Sequence, residues 1–246
     1  MKKYFQVPWV SKDLIIIIFT TIGLMLAVII GMDLSGAAEY VKTSPHKVLL
    51  MMGLFLSQSL ILLLPLLFVT RKKHGLKLEQ FGLEKMKIKK VVSETLKGYF
   101  LYLLISYFIL VFIIFTNIKI PGYQLPKSIF EIFGTSDLEL ILTGTIVILI
   151  APIVEEVFFR GFLLRAVADR IGLIWGSIIT AAIFAVFHLQ WQTVIPVFIL
   201  GLIINQLVIR NKSIWPAIGF HVINNAIAFL VQILIIKDVI QIEKII

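Results

Sequence analysis

The chain has 246 residues, 59% of them hydrophobic, and a formal net charge of +9 at pH 7. Its mean hydropathy of +1.02 lies above the range of soluble domains and indicates a polytopic membrane protein. Because the sequence has no cysteine, disulfides, thiolate nucleophiles and cysteine-bound metal sites are excluded. We expect no nucleic-acid partner, since no segment combines the basic and aromatic residues of a nucleic-acid recognition element.

Long apolar stretches predict an all-α helical bundle with about seven transmembrane helices, because about 20 apolar residues cross a bilayer as a helix. The stretches lie at residues 13–32, 47–70, 98–117, 138–164, 173–190, 193–209 and 214–236. The first has a longer apolar core than a signal peptide, so we interpret it as a retained span. Pro152 is expected to kink or break the fourth. The whole of 1–246 is thus predicted to be a single integral-membrane domain in contact with the lipid bilayer.

Basic residues predict the orientation of these helices, since cytoplasmic loops carry an excess of lysine and arginine. Segment 71–97 holds nine such residues. We expect it to be a solvated cytoplasmic loop, with a surface-lying amphipathic helix as the alternative. Counting spans from this loop places the N-terminus in the cytoplasm of a multi-pass protein of the cell membrane. Segment 119–137 contains Pro121 and Pro126 and is predicted to be an irregular outer loop.

Ionisable side chains occur inside the predicted spans of the C-terminal half. Each costs about 2.5–3.5 kcal/mol on insertion scales, so such groups usually face the protein interior and serve a function. Glu156 and Arg160 are four residues apart, on one helix face, and are predicted to form an ion pair. Glu155 points about 100° away from its neighbour and has no local partner. We therefore predict that Arg160 holds Glu156 as part of the scaffold and that Glu155 is free to act as a general base.

Two further pairs repeat the four-residue spacing on later helices. His221 and Asn225 are predicted to face one way, as an oxyanion-binding pair would. Phe184 and His188 have the same spacing, which would let an aromatic ring hold the imidazole in place. The helical rise of 1.5 Å per residue puts the polar groups of the three helices at comparable depth. Three more amides are predicted to form interhelical hydrogen bonds: Asn205, Gln206 and Asn224.

Three short motifs stand in order on successive predicted helices. EEVFFR at 155–160 fits E-E-x-x-x-R, FAVFH at 184–188 fits F-x-x-x-H, and HVINN at 221–225 fits H-x-x-x-N. Together they resemble the CAAX protease and bacteriocin-processing (CPBP, or Abi) family of intramembrane endopeptidases. The resemblance covers about 138–232, which we expect to be the catalytic core.

The resemblance implies a role for each motif residue. Glu155 and His188 would position and deprotonate a water molecule, and His221 and Asn225 would stabilise the oxyanion of the tetrahedral intermediate. The supporting residues would be Glu156, Arg160 and Phe184. The substrate would be a membrane-associated or secreted-peptide precursor, such as a bacteriocin or a signalling peptide, and no cofactor is expected. The sequence carries no indication of an oligomeric state.

Three alternatives remain open at the level of sequence. Glu155, His188 and His221 are chemically a possible His2Glu zinc set, although the compact H-E-x-x-H motif is absent. A small proton-coupled transporter would also have polar groups at mid-membrane, but the sequence shows no inverted repeat. The third alternative is a non-catalytic membrane protein for bacteriocin immunity or scaffolding.

Overall fold

The computed structural model describes residues 2–76, 78–118, 128–188, 190–237 and 239. In these ranges the protein is helical and contains no strand, which confirms the predicted all-α fold. The helices are α1 (Lys2–Phe5), α2 (Ser11–Leu34), α3 (Ala37–Thr43), α4 (Lys47–Lys73), α5 (Ile88–Thr116), α6 (Ile129–Phe133), α7 (Asp137–Ile171), α8 (Leu173–Phe187), α9 (Trp191–Asn211) and α10 (Trp215–Ile236).

Within the described ranges, six helices are long and apolar enough to cross a bilayer, namely α2, α4, α5, α7, α9 and α10. The chain is therefore a multi-pass membrane protein. The remaining predicted span, 173–190, corresponds to α8. Its 15 residues rise about 22 Å, less than the roughly 30 Å hydrocarbon core. The helix closes after Phe187 because the His188 N–H bonds back to Ala185 O and tightens the last turn.

Two segments that the sequence predicts to be loops, 71–97 and 119–137, are partly helical in the structure. Helix α5 begins at Ile88, so the second half of 71–97 is mainly helical rather than a solvated loop. A hydropathy profile misses these turns because lysines interrupt their apolar residues, although lysine is a good helix former. Of the predicted outer loop, 119–127 lie outside the described residues. Farther along, Ile129–Phe133 form the short helix α6 instead of irregular structure.

Pro152 is predicted to kink or break the fourth span, but helix α7 continues through Pro152 without a break. Its turns widen into π-helix at Thr145–Ile150 and again at Val157–Leu164. The first widened segment ends where the Ala151 N–H bonds to Ile146 O, five residues earlier. Pro152 has no N–H to donate, and the distorted turn before it absorbs that loss while the helix continues.

Helix α7 lies at the centre of the bundle, in contact with α4, α8, α9 and α10. The core at this level is aromatic: Phe159 of α7, Phe184 of α8 and Phe220 of α10 have no exposed surface. The outer helices α2 and α5 instead present apolar side chains outward, with Phe19 71% and Phe115 89% exposed. A surface of this kind suits lipid rather than water.

The N-terminal segment is tied to the last turns of α7. Arg165 donates hydrogen bonds to Tyr4 O from Nε at 3.0 Å and from Nη2 at 2.8 Å, and Nη1 donates to the carbonyl of Gln80. Nearby, a Cβ at Gly161 would overlap the carbonyl oxygen of Phe81, so only glycine permits this backbone approach. These contacts fix the end of α7 that follows the EEVFFR motif.

Candidate active site

The predicted ion pair on α7 is present. Arg160 Nη1 donates to Glu156 Oε1 at 2.9 Å, and neither side chain has exposed surface. Two opposite charges at this distance neutralise each other where water is excluded. The widened turn at Val157–Leu164 therefore does not separate residues that the four-residue spacing brings together.

The guanidinium of Arg160 also makes contacts beyond its own helix. Its Nε donates to Asn205 Oδ1 at 3.0 Å, and Nη2 donates to Gly201 O at 3.4 Å, both on α9. Asn205 in turn donates from Nδ2 to Ser177 O of α8 at 2.9 Å. The ring of Phe184 lies 4.2 Å from the guanidinium carbon. Three helices thus surround one buried cation, and the predicted interhelical role of Asn205 is confirmed.

Glu156 has a second partner that the sequence does not predict. The same oxygen that accepts from Arg160 lies 2.9 Å from Nδ1 of His221, on α10. Because a carboxylate only accepts hydrogen bonds, Nδ1 carries the hydrogen in this contact. The other ring nitrogen, Nε2, is then either an unprotonated acceptor or, in the imidazolium form, a second donor. No spacing rule links residues 65 positions apart, so only the fold shows this contact.

Glu155 lies beside this network but outside it. Its side chain is 17% exposed, and Oε2 is 3.9 Å from Nε2 of His221. That distance is too long for a direct hydrogen bond. Oε2 is itself buried and has no hydrogen-bond partner among the described residues. As predicted from helix geometry, the two adjacent glutamates therefore differ in their partners. Glu156 contacts Arg160 and His221 through Oε1, while its Oε2 is also unpartnered among the described residues. Glu155, in contrast, has no cation within hydrogen-bond distance in the described ranges.

His188 lies at the C-terminal end of α8, half-buried. Its Nδ1 is 2.8 Å from Phe184 O, and since a carbonyl only accepts, Nδ1 is the donor. The neutral ring then has Nε2 as its basic nitrogen. The Phe184 ring contacts both imidazoles, with centroid distances of 4.7 Å to His188 and 5.7 Å to His221. The predicted packing of Phe184 on His188 is confirmed. Within the described residues, His188 has no direct polar contact with Glu155.

The amides of α10 make contacts that differ from the predicted arrangement. Asn225 Nδ2 donates to Val147 O of α7 at 2.9 Å. Its neighbour Asn224 donates to Asn225 Oδ1 at 3.4 Å, within the same helix rather than across helices. His221 is turned to the glutamates and Asn225 to a backbone carbonyl, so the two side chains are held by different partners. Gln206 of α9, which is also predicted to form an interhelical hydrogen bond, is exposed.

The proposed zinc set can be compared with this geometry. The described residues contain no group of three histidine, cysteine, aspartate or glutamate side chains that could hold one metal ion. Oε2 of Glu155 and Nε2 of His221 are 3.9 Å apart, and the ring of Phe184 packs against both His188 and His221. In both histidines of the proposed zinc set, Nδ1 is already hydrogen-bonded, to Phe184 O in His188 and to Glu156 in His221. Nε2 is therefore the nitrogen that each of them could offer to a metal ion.

Comparison with known proteins identifies the part of the chain that carries these residues. A search of curated proteins and a search of solved structures found no match. The family model described as "Type II CAAX prenyl endopeptidase Rce1-like" matches residues 137–227. The match includes α7, α8, α9 and the first half of α10, and with them all three motifs. Over residues 137–227, the chain is therefore similar to the Rce1-like type II CAAX prenyl endopeptidases.

Proposed function

We propose that the protein is an intramembrane endopeptidase in which Glu155 activates the attacking water. The observation that carries this proposal is the buried, unpartnered Oε2 of Glu155, 3.9 Å from Nε2 of His221. A carboxylate in such a position can accept a proton from water, because no cation or backbone donor already occupies the oxygen. Arg160 neutralises the charge of Glu156, which leaves Glu155 as the carboxylate without a cation partner among the described residues and therefore as the proposed base.

The reaction proceeds in two proton transfers. Glu155 takes a proton from water as the water oxygen bonds to the carbonyl carbon of the scissile peptide. The carbonyl electrons move to oxygen, and the resulting oxyanion accepts a hydrogen bond from Nε2–H of protonated His221, which Glu156 holds through Nδ1. When the C–N bond breaks, Glu155 returns the proton to the leaving amine. Nε2 of His188 serves as a hydrogen-bond acceptor that orients the water.

The substrate in this proposal is a membrane-associated or secreted-peptide precursor, cut at the membrane surface. The α7 site lies in a helix of membrane-spanning length, and the basic segment 71–97 favours a cytoplasmic N-terminus. The family description refers to prenylated CAAX substrates. This chain is proposed to act on a secreted peptide, such as a bacteriocin or signalling precursor, so both substrate types belong in its test.

The test of this function is cleavage by purified protein in proteoliposomes. The panel contains a prenylated CAAX peptide, secreted-peptide precursors and a soluble peptide of matched composition, and mass spectrometry identifies new termini. We expect cleavage of a membrane-associated peptide, unchanged by a chelator. Ion or proton flux without cleavage would favour a transporter, and peptide binding without cleavage would favour an immunity or scaffolding protein. Loss of cleavage with chelator, restored by zinc, would favour the His2Glu zinc site.

A further inference from the structure

The carbonyl of Val147 has lost its expected partner within α7. In the widened turn, the Ala151 N–H bonds to Ile146 O, five residues earlier, and makes no bond to Val147 O. The next donor in this register would be residue 152, directed to Val147 O. Residue 152 is proline and has no N–H. An unpaired carbonyl is costly at membrane depth, where no bulk water replaces the missing donor.

Asn225 supplies the missing hydrogen bond from another helix. Its Nδ2 donates to Val147 O at 2.9 Å. One turn earlier on α10, His221 contacts Glu156 at 2.9 Å. Helix α10 is thus fastened to α7 at two points, one on each side of Pro152 and Glu155 in the sequence. Two fixed points set both the position and the rotation of the α7 segment between them.

We infer that Asn225 is a positioning residue, which replaces the N–H missing at Pro152 and so holds Glu155 beside His221. This differs from a direct role in binding the oxyanion, the role that the family resemblance implies for Asn225. The two roles predict different responses to restoring an N–H at position 152. Its effect on catalysis rests on the proposed peptidase function, whereas the hydrogen bond itself can be tested by stability alone.

The experiment is a double-mutant cycle of Asn225→Ala and Pro152→Ala in the full chain. Removing the Asn225 amide leaves Val147 O unpaired, and we expect kcat to fall about tenfold or more. Pro152→Ala adds an N–H that satisfies Val147 O if the turn stays wide, while a return to α-helical register lets residue 151 satisfy it. In the Pro152→Ala background, Asn225→Ala should therefore lower kcat less than about threefold. The thermal unfolding midpoint should show the same rescue.

Further variants separate a local effect from a general one. Asn225→Leu keeps the branched shape of the side chain but has no donor and no charge, so it should show the same loss and the same rescue. Asn224→Ala removes the adjacent amide while leaving the bond to Val147, and it should have a smaller effect. Loss of activity by Glu155→Gln should not be rescued by Pro152→Ala. If Asn225→Ala does not fold alone but folds with Pro152→Ala, the inference is supported.

An equal loss of kcat from Asn225→Ala in both backgrounds, with equal unfolding midpoints, would overturn the inference and favour direct oxyanion binding. If the unmodified protein cleaves no peptide, the proposed function fails, and the unfolding midpoints alone decide the inference. Additive effects of the two substitutions on those midpoints would then overturn it.

Discussion

Glu155→Gln is expected to lower kcat by about 10²–10⁴-fold, the range that a general base contributes. Glutamine has the same shape, but its amide cannot take the proton from water. Glu156 is not expected to substitute, because its charge is neutralised by Arg160 and its side chain has no exposed surface, whereas Glu155 is 17% exposed. We expect peptide binding and the thermal unfolding midpoint to change little, since Oε2 of Glu155 has no hydrogen bond among the described residues. The measurement is steady-state cleavage of the peptide found with the proteoliposome panel.

The matched control is Asp169→Asn, which removes an acid from the exposed surface of the same helix. Its kcat should remain close to that of the unmodified protein. A Glu155→Gln protein that folds and retains full activity would rule out Glu155 as the base. Equal losses from Glu155→Gln and Asp169→Asn would indicate a general effect of charge on α7 rather than chemistry at one carboxylate.

Arg160→Ala is expected to destabilise the protein by about 3–5 kcal/mol, the cost of leaving a buried charge unpaired. It would remove the cation from Glu156 and the donor from Asn205, both fully buried. Activity should be lost as well, because the Glu156–His221 contact depends on the same carboxylate oxygen. Thermal unfolding in detergent, followed by the fluorescence of the four tryptophans, measures the change.

Two variants show whether the charge or the volume of Arg160 matters. Arg71→Ala removes an exposed arginine and should leave the unfolding midpoint nearly unchanged. The double variant Glu156→Gln with Arg160→Met removes both charges and keeps an acceptor for His221. It should recover part of the stability lost in Arg160→Ala, because no unpaired charge remains. A double variant less stable than Arg160→Ala would contradict the ion-pair account.

Local geometry explains which contacts the sequence predicts. Glu156 with Arg160 and Phe184 with His188 each lie one helical turn apart, so helix periodicity alone brings the members of each pair together. The contact between Glu156 and His221 joins residues on α7 and α10 and depends on how those helices pack. Order along the chain indicates that the motifs belong together, but it does not specify which atoms meet.

The sequence also does not predict how the backbone of α7 is distorted. The sequence marks Pro152 as a disruption of α7, yet a proline alone does not specify whether the helix breaks, kinks or widens. The structure shows widened turns and a carbonyl at Val147 that Asn225 satisfies from another helix. The i, i+4 spacing of His221 and Asn225 predicts a shared direction. The spacing does not show that Val147 O lacks a partner within α7, and Asn225 donates to this carbonyl instead.

Hydropathy predicts the ends of some helices accurately and the ends of others poorly. The sequence predicts the spans of α2 and α10 within a few residues because their apolar runs are uninterrupted. Hydropathy predicts the start of α5 about ten residues too late, because lysines lower the hydropathy of turns that are still helical. Conversely, 173–190 is apolar throughout, but α8 ends at Phe187, too short to cross the bilayer alone.

The most direct test of the central claim follows the oxygen of the attacking water. A single turnover is run in water enriched in oxygen-18, and both the product peptide and the Glu155 segment of the protein are analysed by mass spectrometry. If Glu155 acts as a base, one labelled oxygen enters each new product carboxylate and none enters Glu155. Label in the Glu155 side chain, together with an unlabelled product from the first turnover, would show that Glu155 attacks the peptide itself and would contradict the mechanism.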